Sequence, residues 1–291
     1  MTTAPRQRFT VRAGLAQAAD DGPYEGVPAH LRQPLWSWLR AQFGQGPYRD
    51  DPDLTMALTV CLRLRMEVSP DETAADRLLR VEDNELLDVV DELLAFRASK
   101  AQADDLAASA AVYALSFMLN EGGSIYCVTD DLDGLEVRVG PTVREAMKQT
   151  ISDAAASGLS GSASEHLASA WRSAYGRHPD TARAYSEAIK AVESAAHATI
   201  EPNNTKATLG TMLRAMRNSP SRFTTVLPTR PGQDAVDPVV AMMQTLWEGQ
   251  TSRHGAQTAT VAETLEAARA GVHLAATLVQ WFTSAAVIRK P

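Results

Sequence analysis

Residues 180–199 read DTARAYSEAIKAVESAAHAT and carry a clear helical period. Apolar side chains recur on one side of this stretch at helical spacing: Tyr185, Ile189, Val192 and Ala196. Glu187, Lys190 and Ser194 fall on the other side. That polar side is either solvent-exposed surface or a buried hydrogen-bonded network, and the period does not distinguish the two. The stretch therefore predicts an amphipathic helix within a helical domain.

Helical patterns of the same kind lie on both sides of this stretch. Those before it cover residues 30–43, 53–66, 84–96, 103–119 and 164–175, and a further helix begins at Pro141, where the first turn tolerates proline. Those after it cover residues 205–217, 236–248 and 260–287. The one convincing β pattern is a hairpin, 124–128 and 135–139, joined by the turn TDDLDG. The sequence predicts a mainly α fold with a small β-hairpin in its N-terminal part.

Composition suggests a division of the chain near residues 157–163, which read SGLSGSA. Small polar residues with two glycines are typical of linkers. Residues 1–160 carry 15 Lys and Arg against 25 Asp and Glu, whereas residues 161–291 carry 13 against 10. This change from acidic to mildly basic predicts an N-terminal sensor or regulatory domain, 1–156, and a C-terminal domain, 164–291.

Several function classes lack their sequence signals. No apolar run reaches the roughly 18–20 residues that span a bilayer, and no signal peptide is recognisable, so we expect a cytoplasmic protein without membrane contact. The two cysteines, Cys61 and Cys127, exclude a disulfide framework and a cysteine-based zinc site. Phosphate-binding glycine loops and metal-binding motifs are absent as well. We expect no cofactor and no metal.

The strongest candidate for chemistry is the polar stretch WEGQTSRHG, residues 247–255. His254 can move a proton near neutral pH, and the adjacent Arg253 can hold a phosphate through two parallel hydrogen bonds. These are the groups that phosphodiester cleavage needs. The alternative is a connecting loop in which Arg253 pairs with an acid and His254 caps a helix.

A basic segment points to the same class of ligand. Residues 202–233 contain no acidic side chain but five cations: Lys206, Arg214, Arg217, Arg222 and Arg230. On a helix, Arg214 and Arg217 lie three positions apart on one face. Such a strip can follow a phosphate backbone, so we expect RNA or phosphate binding at Lys206, Arg214, Arg217 and Arg222. The alternative is an ordinary solvated basic face.

Short segments in both halves of the chain are similar to those of a known family. In the C-terminal half they are PDTARAYSEAIKAVESAA (179–196), TKATLGTMLRAM (205–216) and SRHG (252–255). In the N-terminal half they are RFTVRAG (8–14), HLRQPLWSWLRAQFG (30–44) and FMLNEGG (117–123). In order and spacing these segments resemble AbiJ-type abortive-infection proteins, whose C-terminal domain belongs to the HEPN group of helical-bundle ribonucleases. The resemblance implies a HEPN-like bundle that dimerises and cleaves RNA in defence against phage.

The site residues depart from the family's usual spacing, in which an arginine precedes the histidine by several residues. The cation nearest to His254 is the adjacent Arg253, and only Arg172 and His178 have the usual gap. We assign His254 as acid and base and Arg253 as the phosphate-holding group. Gln250 or Glu187 would orient the site.

Two function hypotheses follow. The first is a metal-independent endoribonuclease of the HEPN kind. The second is a non-catalytic, dimeric helical module that binds RNA or a protein partner; DNA is not expected. Residues 260–287 are apolar over much of the predicted helix, and such a helix is normally buried by its own domain or by a partner. We predict a homodimer that uses this helix.

Overall fold

The structure, a computed structural model, describes residues 9–15, 23–43, 54–100, 106–158, 160–230, 232–252 and 261–290. Over these ranges the chain forms twelve α-helices and two short antiparallel sheets of two strands each. The predicted mainly α fold is therefore confirmed. The chain divides into two compact units, Met1–Arg138 and Val139–Pro291, called here the N-terminal and C-terminal units.

The N-terminal unit contains six helices and one hairpin. Its helices are α1 Phe9–Arg12, α2 Ala29–Gln42, α3 Leu54–Arg63, α4 Ala74–Leu78, α5 Asp83–Ala98 and α6 Leu106–Glu121. Helix α2 packs against α5 and α6, and its fully buried Leu35 and Leu39 lie in the core. Trp38 of the same helix donates its indole N–H to the Ala111 carbonyl of α6 at 2.8 Å, so its buried polar atom is satisfied.

The predicted hairpin is confirmed, with shorter strands than expected. β1 Tyr126–Val128 pairs antiparallel with β2 Leu135–Val137, and Val128 lies opposite Leu135. The Asp91 carboxylate of α5 accepts a hydrogen bond from the Leu135 amide at 2.5 Å, which attaches the hairpin to the helices.

The C-terminal unit is a helical bundle with a two-stranded antiparallel sheet. Its elements are α7 Pro141–Ala156, α8 Ala163–Tyr175, α9 Thr181–Ile200, α10 Leu209–Asn218, β3 Phe223–Thr225, α11 Asp237–Glu248, α12 Leu265–Thr283 and β4 Val287–Arg289. Helix α9, formed by the opening stretch of the sequence analysis, packs on α8 and α12. Asp180 caps it by accepting the Arg183 amide at 2.9 Å.

Strand β4 of the C-terminal unit takes the place of the end of the predicted last helix. Helix α12 stops at Thr283 instead of continuing to residue 287, because Ala285 adopts a positive φ of 56° that no α-helix contains. The chain then pairs β4 with β3 antiparallel, Phe223 opposite Arg289. Strand β3 lies in the connection between α10 and α11, so this connection is partly folded.

The two units divide after Arg138, ahead of the predicted linker at 157–163. Helix α7 packs on α8 and α12 and therefore belongs to the C-terminal bundle. Ser160, in the middle of the predicted linker, is 1% exposed and donates its hydroxyl to the Ala154 carbonyl at 2.5 Å. The small residues of this segment turn the chain tightly between two packed helices.

The apolar side chains of α12 are covered within their own unit. Val272, Leu278 and Val279 are fully buried. Helices α7, α8, α9 and α11 and strand β4 pack against α12. Burial by the chain's own domain therefore accounts for this apolar helix, and the predicted homodimer through α12 is not needed to explain it.

Candidate functional site

The polar side of α9 lines a cleft of about 380 Å³ in the C-terminal unit. Four of its side chains line this cleft, and they lie within two turns of the helix: Lys190, Glu193, Ser194 and His197. His166 and Ser162 line it from the beginning of α8, and Ala207 lines it from the segment before α10. Of the two readings of the polar side of α9, the structure supports a hydrogen-bonded network.

A carboxylate between two basic groups organises this cleft. Glu187 lies behind the lining and accepts hydrogen bonds from both His166 Nδ1 and Lys190 Nζ, each at 2.7 Å. The Glu187 side chain is 15% exposed, while those of His166 and Lys190 are 30% and 47% exposed. Because Nδ1–H of His166 is used on Glu187, Nε2 of the neutral ring is the nitrogen that can accept a proton.

The ionisation of Glu187 supports this arrangement. Burial by itself raises the pKa of this carboxyl, but the hydrogen bonds and charges of Lys190 and His166 outweigh it, so the pKa lies below its ordinary value. Glu187 is therefore a carboxylate at neutral pH. It fixes the orientation of the His166 ring without lining the cleft itself.

A second carboxyl, Glu193, has the opposite character. Its Oε1 accepts a hydrogen bond from the Leu209 amide at the start of α10, at 2.6 Å. Burial raises the pKa of Glu193 above its ordinary value, although this hydrogen bond and the charges of Lys190 and His166 act in the other direction. Two carboxyls with pKa values displaced in opposite directions thus lie around one histidine and one lysine, a combination suited to acid–base chemistry.

Short polar contacts close the rest of the cleft. The hydroxyls of Ser162 and Ser194 lie 3.3 Å apart across α8 and α9. His197 donates from Nε2 to the Asn204 carbonyl at 2.9 Å, which holds the segment before α10 against α9. His197 is thereby engaged in structure, so His166 is the better candidate for a mobile proton.

The predicted catalytic residues are only partly described. Arg253 and His254 lie outside the described residues. Glu187 accepts hydrogen bonds from His166 and Lys190, and its predicted role of orienting the Arg253–His254 pair stays a prediction. Gln250 is half-buried and directly follows Gly249, the C-cap of α11.

The chain on both sides of residues 253–260 is fixed to one carboxylate. Glu263 is 5% exposed, and its Oε1 accepts hydrogen bonds from the amide and the hydroxyl of Ser252, at 2.9 and 2.8 Å. Burial would raise the pKa of Glu263, but the bonds from Ser252 lower it below its ordinary value. The Thr251 hydroxyl also donates to the Val261 carbonyl at 2.7 Å. The residues just before 253 and just after 260 are therefore hydrogen-bonded to each other.

All four predicted phosphate-binding residues are exposed. Lys206 precedes α10, Arg214 and Arg217 lie on it, and Arg222 follows it. The buried side of α10 carries Leu209, Met212, Leu213 and Met216, so the two arginines occupy the opposite side. Arg217 donates to the neutral side chain of Gln244 at 2.8 Å.

Two other histidines have structural surroundings. His273 Nε2 lies 2.7 Å from the Tyr175 hydroxyl, and burial lowers the pKa of His273. Arg269, one turn earlier, lies over the Tyr175 ring at 4.8 Å. This cluster joins α8 to α12. His178 is exposed in the turn between α8 and α9, close in sequence to Arg172 at the end of α8.

Comparisons with family models, with curated proteins and with solved structures find no match to this chain. Within the described ranges, His, Cys, Asp and Glu side chains form no group of three or more that could hold a metal ion. The helices described there include none with the length and apolarity needed to cross a membrane.

Sequence reasoning missed His166. The signal was its position on the helix before α9, together with the polar residues repeated along α9 from Glu187 to His197. An antiparallel pair of helices brings such residues face to face. A histidine within an amphipathic helix is ordinarily structural, so its position alone did not select it.

Proposed function

We propose that the C-terminal unit is a metal-independent endoribonuclease and that the cleft between α8 and α9 is its active site. The observation that carries this proposal is the pair of 2.7 Å hydrogen bonds from His166 and Lys190 to Glu187 beside an open cleft. An oriented imidazole and a nearby ammonium are the groups that phosphodiester cleavage requires.

The cleft residues suit a reaction that uses the ribose 2′-hydroxyl. His166 Nε2 removes the proton from the 2′-oxygen, which attacks the adjacent phosphorus, and Lys190 offsets the charge gained by the phosphate oxygens. The bond from phosphorus to the 5′-oxygen breaks, and this oxygen takes a proton from an acid in the cleft. Glu193 is the candidate acid because it lines the cleft beside Lys190, and burial raises its pKa above the ordinary value. The products are a 2′,3′-cyclic phosphate and a 5′-hydroxyl.

The biological role in the proposal comes from the sequence resemblance. An AbiJ-type, HEPN-like module would use RNA cleavage to arrest an infected cell, and the acidic N-terminal unit would regulate it. Arg253 and His254 remain the alternative catalytic pair, with Gln250 nearby. The competing function is a non-catalytic module that binds RNA or a protein through the same surface.

We also propose, from the resemblance, that the chain forms a homodimer through its C-terminal unit. The apolar core of α12 gives this proposal no support, because those side chains are already buried within the unit. A dimer interface would therefore use surface that is exposed in the single chain.

Cleavage of a labelled single-stranded RNA by the full chain and its variants tests the proposal. We expect His166→Ala to lower the rate about 10²- to 10⁴-fold, the usual contribution of a general acid or base. Glu187→Gln should lower the rate less and change its pH profile, because glutamine can accept the Nδ1–H bond but carries no charge. His178→Ala is the matched control and should retain activity. Cleavage should persist in EDTA.

The outcomes distinguish the hypotheses, provided that circular dichroism shows each variant to be folded. An active His166→Ala together with an inactive His254→Ala would assign the site to the Arg253–His254 pair. Loss of the cleavage activity in EDTA would contradict the metal-independent chemistry. A wild-type chain that binds RNA but leaves it intact would favour the non-catalytic module.

A further inference from the structure

The two-stranded sheet of β3 and β4 brings together two cations that are far apart in sequence. The Lys290 amide donates to the Arg222 carbonyl at 2.8 Å, one position beyond the pairing of Phe223 with Arg289. This backbone hydrogen bond brings Lys290 next to Arg222 at the end of the two-stranded sheet, and both side chains are exposed. Two cations that are held close together repel each other.

The described structure offers these cations no counter-charge. No carboxylate among the described residues forms an ion pair with Arg222, Arg289 or Lys290. A bound anion would remove the repulsion between Arg222 and Lys290. The planar guanidinium of Arg222 matches two oxygens of a phosphate, and the Lys290 ammonium can reach a third.

Helix α10 connects this end of the β3–β4 sheet to the cleft. Its first amide, that of Leu209, bonds to Glu193 in the cleft lining, and Arg222 lies one 3₁₀ turn after its last residue. Ten helical residues span about 15 Å. Arg214 and Arg217 lie on the exposed side of the helix between these two points. Arg214 and Arg217 therefore lie along a helix that joins the cleft to the β3–β4 sheet.

We propose that Arg222 and Lys290 together hold a backbone phosphate of single-stranded RNA whose chain also passes through the cleft. Arg214 and Arg217 contact the RNA between the two places. The proposal rests on the proposed ribonuclease function, since it assigns the substrate a path and a second attachment point. RNA is favoured over an acidic protein because the cations are strung along an acid-free segment of the chain, as a phosphate backbone would require.

Salt dependence gives the expected size of the effect. Each cation that binds a phosphate of a single strand contributes about 0.7 to the slope of log affinity against log salt concentration. At about 0.1 M salt this corresponds to about fivefold in affinity for each contact, and to about 25-fold for the pair. Replacing both residues with glutamine should also reduce the magnitude of the slope by about 1.4.

The experiment measures binding without cleavage. A fluorescent 2′-O-methyl RNA of about 12 nucleotides, within the range of single-strand site sizes, cannot be cut by attack of its own 2′-oxygen. Its anisotropy is titrated with the full chain, with the double variant Arg222→Gln/Lys290→Gln, and with Arg183→Gln. Arg183 is an exposed cation in the first turn of α9, outside the proposed path, and serves as the matched control.

We expect the double variant to bind about 25-fold more weakly with a shallower salt slope, and Arg183→Gln to bind as the wild type does. Equal affinity of the double variant and the control, or no RNA binding by the wild type, would overturn the inference. Polyglutamate binding as tightly as RNA through the same two residues would overturn it in favour of an acidic protein partner. Loss of binding in the double variant, with no cleavage by the wild type, would uphold the binding surface and reject the ribonuclease.

Discussion

Replacing Gly249 with alanine tests how the C-terminal unit holds the segment that carries Arg253 and His254. Gly249 caps α11 with an ordinary helical φ of −70°, so an alanine there meets no backbone strain. Its new Cβ, however, would lie 2.0 Å from the Tyr185 hydroxyl oxygen and 3.0 Å from Cζ of the same ring. Tyr185 is 4% exposed and its ring also touches Gly271, so it has little room to withdraw.

The cost follows from these distances. Ordinary contacts of a Cβ lie beyond about 3.4 Å, so the hydroxyl must move by more than an ångström, and overpacking of this kind costs about 1–3 kcal/mol. The loss of backbone freedom in the unfolded chain offsets about 0.4–1 kcal/mol. We expect a net loss of about 1–2 kcal/mol, which lowers Tm by roughly 2–8 °C for a unit of this size.

A double-variant cycle separates the hydroxyl clash from other effects, with Tm measured by calorimetry on the full chain. Tyr185→Phe alone should cost little. In combination with Gly249→Ala it should restore most of the loss, because the nearest ring atom is then Cζ at 3.0 Å. Gly271→Ala is the control: its Cβ would meet ring carbons at 2.9 and 3.1 Å, so Tyr185→Phe should not rescue it. Full stability of Gly249→Ala, or equal rescue of both variants, would refute the reasoning.

Three further predictions concern stability and assembly. The pKa of Glu187 is lowered on folding, so its contribution to stability is present above about pH 4.5 and is lost as the pH falls through the folded-state value; the Tm of Glu187→Gln should therefore approach that of the wild type in acid, and parallel curves would contradict this. Thr208→Ala removes the hydroxyl that accepts the Thr211 amide, while the amide of residue 208 can still donate to the Thr211 hydroxyl, and should cost about 1 kcal/mol in denaturant unfolding; an unchanged midpoint would argue against the cap. The proposed homodimer should appear in sedimentation at tens of micromolar, an order of magnitude suited to an interface of ordinary size, and a monomer at that concentration would disprove it.

Local periodicity predicted the helices well because it reflects which face of each helix is buried. Helix α9 occurs within one residue of its predicted ends, with Asp180 as its cap. The same periodicity left the environment of its polar side open, because spacing gives the direction of Glu187 and Lys190 but not what they meet. In the structure Glu187 meets His166, which lies about twenty positions earlier in the chain.

Pairing over long sequence distances explains what the sequence did not predict. Strand β4 has three residues, too few to show an alternating pattern, and its partner β3 lies more than sixty positions earlier. Residues 284–287 therefore read as a continuation of the last helix. The segment SGLSGSA looked like a linker because composition does not reveal that Ser160 would be buried between α7 and α8.

The hydrogen bonds of Thr251 to Val261 and of Ser252 to Glu263 have a consequence for how this protein can vary. They close the base of the segment 253–260 independently of what lies between them. For a segment tied at both ends, doubling its length costs only about 0.6 kcal/mol of closure entropy. The bundle can therefore accept insertions or deletions there with little loss of stability. The number and identity of residues between Ser252 and Val261 can change while α9, α11 and α12 keep their packing.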